Sequence, residues 1–459
     1  MSLLGAIGNS LSSMNALQAN MQVISGNISN AQNPDFTKKT INLTSDVISG
    51  GVVVSGYSRA TNDSLTHLLQ QSLGDSGLRS TQKDYLQQIQ NLLGSSQDSP
   101  VLTNAFNDFA AAWRALSAAP EDVTQQQDVL FKAQALAREV NRLSVGLAQI
   151  TTNLKSATSD AVDELNTSLD NVNRLNQQIV AAQSNGQQAT VNNLLDQRDA
   201  EVQKISALVN IRIFPRAQNT IGIYTPGGVS LLDTVPNTFT WDGSTITMDP
   251  GSSNVTNVLT GGKIEALIGM LDQGSSAATL NDPGKASVYK AQQQLNTLVD
   301  LFTNAAGTFA IAYDSAATGA GEQANAFFTG TTANDFALNS NLADGSKTLK
   351  QAAASPVATD MDVNTRTITT SGLSISNATY SDYTDAIISR QNQNTKTISD
   401  QAKIYQTQAD DYQQRLQSSV GVNIDEQMAL LTQLQNNYAA TAHVISTIQQ
   451  MFQILEQVI

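Results

Sequence analysis

The stretch VNIDEQMALLTQLQNNYAATAHVISTIQQMFQILEQVI, residues 422–459, carries apolar side chains at a fixed spacing of seven. A seven-residue repeat with two apolar rows is typical of a helix whose seam packs against another helix. Asn423 is a good N-cap, and Glu426 follows three residues later, where its side chain can reach back. The sequence therefore predicts a long C-terminal helix. Its first row is Ile424, Leu431, Tyr438, Ile445, Phe452 and Ile459, and its second is Leu434, Ile448 and Leu455, with polar exceptions at Gln427 and Thr441.

The first 28 residues repeat this pattern with uncharged side chains. One row has Ile7, Met14, Met21 and Ile28, and the other has Leu3, Leu17 and Ile24, interrupted by Ser10. Periodicity alone fits packing inside a monomer as well as packing between copies in an assembly. In an assembly, the ends would be mobile in the free monomer and would become ordered on docking. The expected contacts are Ile7, Met14, Leu17, Met21, Ile24 and Ile28 opposite Leu431, Leu434, Tyr438, Ile445, Ile448, Phe452 and Leu455.

The residues between the termini predict a helical frame with a β-rich insertion. Residues 209–214 (VNIRIF) alternate with period two, and Asp242-Gly243 is a hairpin dipeptide between two short strand-like runs. A small β domain is therefore expected over about 209–260. The segment 316–380 is rich in Gly, Ala, Thr, Asn and Asp and predicts loops with short strands. Apolar stripes of helical period predict helices over 61–94, 101–118, 122–184, 188–208, 285–315 and 381–418.

These elements predict a mainly α fold with an inserted β domain. The terminal helices, 1–40 with 420–459, are expected to form a coiled-coil-like inner layer. Residues 41–208 with 285–419 are expected to form a middle domain of long helices that includes the loop segment 316–380, and 209–284 a small outer β-rich domain.

Composition excludes several classes of function. The chain has 39 acidic and 25 basic residues, a net charge of −14, which disfavours binding to nucleic acid or to anionic membranes. It has no cysteine, which removes disulfides, thiolate nucleophiles and Cys-ligated metals. It has no run of about 20 apolar residues. The first charged residue is Asp35 and the first basic one Lys38, so a Sec-type signal is not predicted.

No catalytic constellation stands out. The nearest carboxylate pair, Asp410-Asp411, points in two directions on a helix and predicts a solvated face. His67 and His443 have no second ligand at metal spacing. Gly261-Gly262-Lys263 lacks the spacing of a phosphate loop and predicts a turn. The chain is therefore predicted not to be an enzyme, and no cofactor or metal is expected.

Two segments resemble known flagellar proteins. The segment Asn27-Ile-Ser29-Asn30-Ala-Gln-Asn-Pro34-Asp-Phe36 resembles the Asn-Ile-Ser-Asn-Ala-x-x-Pro-Gly-Tyr/Phe segment of bacterial flagellar axial proteins of the rod, hook and junction. The segment 419–427, which includes Val422, Asn423, Asp425 and Glu426, resembles the segment before the terminal helix in the hook-associated protein 1 family. Three departures are Asp35 in place of the usual Gly, Gln427 in place of a second Glu, and the additional Val420.

The resemblance implies a structural protein between hook and filament. Its implied partners are further copies in a ring, the hook protein, a second junction protein or flagellin on the filament side, and an export chaperone at the C-terminal helix. It also implies export unfolded through the flagellar type III channel, hence a cytoplasmic stage and an extracellular final location. Two alternatives remain: another axial protein, hook-like or flagellin-like, and a secreted enzyme or carbohydrate-binding protein that uses the β domain.

Overall fold

The computed structural model describes residues 3–46, 50–94 and 101–458. Helix α1 (Leu3–Ser29) leads into a hairpin of β1 (Lys39–Ser45) and β2 (Val52–Arg59), which pair antiparallel with a bulge after Asn42. Both the hairpin and the last helix pack against α1. No strand is predicted here from the sequence, and the hairpin residues show no clean alternation of buried and exposed positions.

Four helices follow and form most of the middle of the molecule: α2 (Asp63–Leu93), α3 (Val101–Ala118), α4 (Val123–Ser184) and α5 (Gln188–Leu208). Their bounds confirm the predicted helices to within a few residues. Asn62 caps α2 by accepting from Leu65 N, and Asp122 caps α4 by accepting from Thr124 N. With 62 residues, α4 is roughly 90 Å long, and the outer strands pack against it as well as its neighbouring helices.

The insertion after α5 holds two antiparallel three-stranded sheets. One has the order β3 (Arg212–Pro215), β4 (Ile221–Tyr224), β5 (Ser230–Leu232), and the other β6 (Thr238–Trp241), β7 (Ile246–Asp249), β8 (Ser253–Asn254). The turn between β6 and β7 contains Asp242 and Gly243, as predicted, and Gly243 has a φ of +95°. The main-chain N–H groups of Ser244 and Thr245 donate to the Asp242 carboxylate, and these hydrogen bonds lower its pKa.

Two asparagines of α4 attach these sheets through the same contact. The Asn166 amide donates to Phe239 O at 2.7 Å and accepts from Phe239 N at 2.9 Å on β6. The Asn176 amide makes the same pair of bonds with Ile221 on β4, at 3.0 and 3.3 Å. Each side chain therefore replaces one residue of a neighbouring strand, and α4 acts as the support for both sheets.

The segment predicted as β-rich up to residue 284 also contains α6 (Gly262–Leu271) and the short α7 (Ala277–Asn281). Gly261 and Gly262 both adopt positive φ, so the predicted turn is present and begins α6. The apolar face of α6 is buried through Ile264, Leu267 and Met270, and α6 packs on α2 and α4. Helix α6 has only about three turns, so its helical period is too brief to stand out beside the strand-like residues that precede it in the sequence.

The predicted helix 285–315 is two helices, α8 (Ser287–Thr303) and α9 (Thr308–Asp314). Residues 304–307 break the helix, since Asn304 turns to an extended backbone and Gly307 follows. The segment 316–380 then holds mostly loops with the short pair β9 (Phe328–Thr329) and β10 (Ala337–Leu338), helices α10 (Ser340–Ala343) and α11 (Ala354–Met361), and the hairpin β11 (Arg366–Thr370) and β12 (Leu373–Ala378).

The last two helices are α12 (Tyr380–Val420) and α13 (Ile424–Val458). Thr379 and Asp382 form a capping box at the start of α12. Helix α12 packs along α2, which returns the chain to the terminal helices. Together these elements confirm the predicted fold class, mainly α with a small inserted β domain.

One part of the main core lies where α3, α8, α9 and the β9 segment meet. It is an aromatic cluster in a chain with only 5% aromatic residues. Trp113 is fully buried there and packs edge-on to Phe109 at 6.3 Å. The members of this aromatic cluster are Phe106, Phe109, Trp113, Phe302, Phe309, Tyr313, Phe327, Phe328, Phe336 and Tyr380.

None of the helices in the described part of the chain is both long and apolar enough to cross a membrane.

Candidate assembly site

The two terminal helices form an antiparallel pair within the chain. Asn27, near the end of α1, contacts Gln427, in the first turn of α13, and the two helices pack along their length from there. Ile24 of α1 and Leu434 and Ile448 of α13 are buried in this pair. The apolar rows predicted from the sequence therefore do meet, and they meet inside one molecule.

Most of the predicted contact residues are half-buried in this pair. Ile7, Met14, Leu17, Met21, Ile28, Leu431, Tyr438, Ile445 and Phe452 fall in this class. The side chain of Leu455 and the whole of Ile459 lie outside the described residues. Ile424 is 44% exposed and does not belong to the seam. Whether copies share these contacts in an assembly stays a prediction.

The two polar exceptions of the second row lie in the seam. Gln427 is buried and Thr441 is half-buried, so the seam of α13 runs at alternating steps of four and three residues from Gln427 to Phe452. The Thr441 hydroxyl donates to Asn437 O of its own helix at 2.9 Å. Gln427 instead bonds across the pair, so the two polar positions have different roles.

The distal half of the pair exposes large apolar side chains to solvent. Because the helices are antiparallel, the first half of α1 lies beside the second half of α13. Leu4 is 75% exposed, and Ile454 is 62% exposed. An unpartnered set of this kind is characteristic of an interaction surface. We call this set the distal patch; its members are Leu4, Leu11, Val444, Met451 and Ile454.

We call residues 27–36, the segment that resembles flagellar axial proteins, the axial motif. Its first residue, Asn27, joins three segments of the chain. Its amide nitrogen donates to Lys39 O and to Gln427 Oε1, both at 2.9 Å, and its amide oxygen accepts from Lys39 N at 3.0 Å. Asn27 is 1% exposed and Gln427 3%. The side chain thus pairs with β1 as Asn166 and Asn176 pair with β4 and β6, and it holds α13 at the same point.

The rest of the motif forms the exit from α1. The Asn30 side chain donates to Gly26 O at 2.9 Å, and Ser29 and Pro34 are exposed. The Lys39 ammonium lies 3.9 Å from the centre of the Phe36 ring. Asp35 does not adopt a positive φ, so its replacement of the family's glycine costs no left-handed strain.

A buried ionic cluster ties the hairpin to α5. Asp196 accepts from the Lys39 ammonium, from Arg59 Nη1 at 2.9 Å and from Thr37 Oγ1 at 2.7 Å. Arg59 Nη2 also donates to Asp199 at 2.6 Å. Burial lowers the pKa of Lys39 although Asp196 opposes the change. Burial would also lower the pKa of Arg59, but Asp199 and Asp196 outweigh it and raise that pKa.

The start of α13 agrees in part with the prediction. Asn423 caps the helix, since its side-chain oxygen accepts from Asp425 N at 3.0 Å and from Glu426 N at 3.3 Å. The Glu426 carboxylate lies 3.5 Å from Lys38 Nζ. It therefore points to the segment just after the axial motif and not back to the cap. Lys38 N donates to Val420 O at 2.7 Å, which joins the motif to the end of α12; Val422 is half-buried and Asp425 is exposed.

Two cavities flank the motif loop. One, of about 960 Å³, lies between residues 31–37, the start of α2, α5 and the end of α12; the other, of about 530 Å³, lies between Asn30 and α5. Amides, hydroxyls and charged groups line part of both, and some of them, namely Thr37, Arg59, Asp196 and Asp199, already bond to one another. His67 is exposed at the larger cavity and His443 is exposed on α13. Among the described residues, no three His, Cys, Asp or Glu side chains are placed to hold a metal ion.

Asp410 and Asp411 are both exposed on α12. Asp410 accepts from Gln406 at 2.9 Å, and Asp411 pairs with Arg415 at 2.8 Å, one helical turn away in each case. Their side chains engage their own helix surface, as expected for a solvated face.

Comparison with known proteins agrees with this geometry. The model of the flagellar hook-associated protein FlgK helical domain matches residues 86–328, more than half of the chain. The chain belongs to the FlgK family of flagellar hook-associated proteins. A second model, of the flagellar basal body rod FlgEFG protein C-terminal region, matches residues 412–458, which span the end of α12 and all of α13.

Relatives within the family are distant and longer. Flagellar hook-associated protein 1 of Escherichia coli K12 is 27% identical over 234 residues, which cover 49% of this chain and 42% of that protein. The protein of the same name in Bacillus subtilis 168 is 26% identical over 215 residues, 44% of this chain and 42% of that protein. The matched segment thus spans less than half the length of these relatives.

The solved structure of the flagellar hook junction protein FlgK from Burkholderia pseudomallei is also similar. It matches 57% of this chain and 46% of its own, with a TM-score of 0.46 and 22% identity.

Proposed function

We propose that this chain is a structural junction protein that connects hook to filament in the bacterial flagellum. It assembles as a ring through its terminal helices, which make the inner layer, while the outer β domain faces outward. The observation that carries the proposal is the distal patch: in a family of flagellar proteins, the distal half of the terminal helix pair leaves five large apolar side chains of the described residues in water.

The free energy of burying these side chains supports assembly. Removing a large apolar side chain from water stabilises by roughly 1.5–3 kcal/mol. Each copy in a ring would bury its five distal-patch side chains against a neighbouring copy. The free energy gained in this way offsets the entropy lost on association. The near absence of charge on α1 and α13 supports close packing, because the described part of α1 has no charged residue. Copies of this chain are therefore the first partners we propose.

The proposed position of the ring, between hook and filament, implies further partners. The hook protein lies on one side of the ring, and a second junction protein or flagellin lies on the other. The terminal helices reach the outside of the cell by export through the flagellar type III channel, and an export chaperone covers α13 before that step. The protein is thus cytoplasmic before export and part of the extracellular flagellum afterwards. The exposed apolar side chains of α13 support a chaperone, since they need cover in the cytoplasm.

The distal patch can be tested by charge insertion. Val444→Asp and Met451→Asp should each lower incorporation into purified flagella at least tenfold, because a carboxylate buried at the copy–copy contact is costly. Asn437→Asp is the matched control: Asn437 is exposed one heptad before Val444 and receives the same charge. Incorporation is measured by immunoblot of sheared flagella, and secretion by immunoblot of the medium.

The control separates assembly from export. The expected result is normal secretion of all three variants, with only the Asn437→Asp protein in the flagella. Equal incorporation of all three would contradict the proposal that the distal patch is the contact.

A second candidate is another axial protein, of the hook or flagellin type. The match of residues 412–458 to a rod protein model favours it, because that segment is common to several axial proteins. Gold labelling of an epitope inserted after Gly186, in the exposed loop between α4 and α5, distinguishes the two. Label in one narrow band at the hook–filament boundary fits a junction protein, and label along the hook or filament fits the alternative.

A further inference from the structure

The apolar seam by itself fits more than one alignment of α13 on α1. Its seam repeats every seven residues, so a shift of one heptad again places apolar side chains opposite apolar side chains. Leu431 would take the place of Tyr438, and Tyr438 that of Ile445. Apolar burial is non-directional and therefore separates these registers weakly.

The hydrogen bond between Asn27 and Gln427 is different, because only one register allows it. Both side chains are buried, and the Asn27 nitrogen uses one of its two protons for Lys39 O and the other for Gln427 Oε1. A shift of seven residues moves α13 by roughly 10 Å and, in the direction that leaves the end of α12 in place, brings Leu434 to this point. The Asn27 proton would then face an apolar side chain and be buried without its partner, which is unfavourable.

We propose that Asn27 and Gln427 are the register determinants of the terminal helix pair. The apolar rows supply the attraction, and this one amide contact selects the alignment of α13 on α1. A single buried polar contact that fixes register at some cost in stability is a known behaviour of helical pairs. Because Asn27 also pairs with the main chain of Lys39, the same contact aligns α13 with the hairpin.

The absence of cysteine allows a direct test on the full-length protein. In the observed alignment, Leu17 lies ten residues before Asn27 and faces the region of Tyr438, eleven residues after Gln427. The double variant Leu17→Cys/Tyr438→Cys reports this alignment. Leu17→Cys/Ile445→Cys and Leu17→Cys/Leu431→Cys report a shift of one heptad in either direction. A disulfide needs Cα atoms within about 7 Å, so each pair reports one register.

Each pair is placed in four backgrounds and equilibrated in a glutathione buffer. In the parent, the Leu17→Cys/Tyr438→Cys disulfide should dominate. In Gln427→Leu, the ratio of shifted to native disulfide should rise roughly tenfold or more, the loss expected for a buried unpaired amide. Gln427→Glu keeps an acceptor for Asn27 and should behave as the parent. Thr441→Leu removes the other polar seam residue, which bonds only within α13, and should leave the ratio unchanged.

Two measurements check that each variant is folded, so that a changed disulfide ratio can be attributed to the register. Far-ultraviolet circular dichroism and Trp113 fluorescence show that each variant retains its helices and core. An unchanged disulfide ratio in a folded Gln427→Leu protein overturns the proposal, as does an equal rise in Thr441→Leu. The test uses the free chain, so its result is independent of whether the protein forms a ring in the flagellum.

Discussion

At the residue scale, one amide contact recurs at three places. Asn27, Asn166 and Asn176 each offer a donor and an acceptor to the main chain of one strand residue. A strand edge has N–H and C=O groups that need partners, and an asparagine side chain reproduces the peptide group that a neighbouring strand would supply. The fold thus attaches each of these strands to a helix without adding a further strand.

Asn176→Ala tests this contact. The change leaves Ile221 N and Ile221 O buried without partners and should lower the free energy of unfolding by about 2 kcal/mol. Urea denaturation followed by Trp241 fluorescence measures it, because Trp241 lies in the outer sheets. Asn153→Ala is the control, since Asn153 is exposed on the same helix and contacts only Gln149. An equal loss in both variants would rule out a special role for Asn176.

At the element scale, the hairpin β1–β2 packs against α1 and is joined to α5 at its base. Its strands are largely exposed, while Lys39 and Arg59, at its two ends, are paired as neighbours and both bond to Asp196 of α5. One carboxylate therefore holds the base of the hairpin to the middle of the molecule.

Asp196→Ala should detach the hairpin from α5. The change leaves two buried cations without their shared carboxylate, a loss of about 3–5 kcal/mol when one partner of a buried ion pair is removed. Amide hydrogen exchange should show lost protection over residues 39–59 and retained protection in α3 and α8. Asp199→Ala is the comparison, because Asp199 is 37% exposed and contacts Arg59 through one oxygen; its effect should be clearly smaller. Equal protection in the parent and Asp196→Ala would contradict this role.

The same scale shows where sequence reasoning succeeds and fails. Long helices with an apolar stripe, such as α3 and α5, were predicted to the residue, because their period persists over many turns. The hairpin was missed, since contacts with α1 and α5 determine it and its own residues are exposed on both faces. The terminal seam was predicted, but Gln427 was read as an exception to it. Its burial follows from a partner 400 positions away, which periodicity does not reveal.

At the scale of the whole molecule, the terminal pair and the main core are separate. The large cluster of buried side chains draws on α2–α6, α8, α9, α11, α12 and the sheets, and no residue of α1 or α13 among the described ones belongs to it. Loss of a terminal helix should therefore leave the core intact.

Deletion of residues 440–459 tests this separation. Thermal unfolding followed by Trp113 fluorescence should keep its midpoint within about 3 °C, because Trp113 lies in the aromatic cluster far from α13 in the contact pattern. The same protein should fail to enter flagella, since it lacks Val444, Met451 and Ile454. A large fall in the midpoint would show that the terminal helix and the core are not independent, and normal incorporation would contradict the role of the distal patch in assembly.

The aromatic cluster also bears on the order of folding if the chain is exported unfolded, as proposed above. Phe106 and Tyr380 touch across it, at 6.0 Å between ring centres, so its walls come from opposite ends of the sequence. Whichever end emerges first, most of the polypeptide must be out before these rings can meet, and a core of such high contact order closes late. A molecule exported in this way would therefore form this core only after most of its chain has passed.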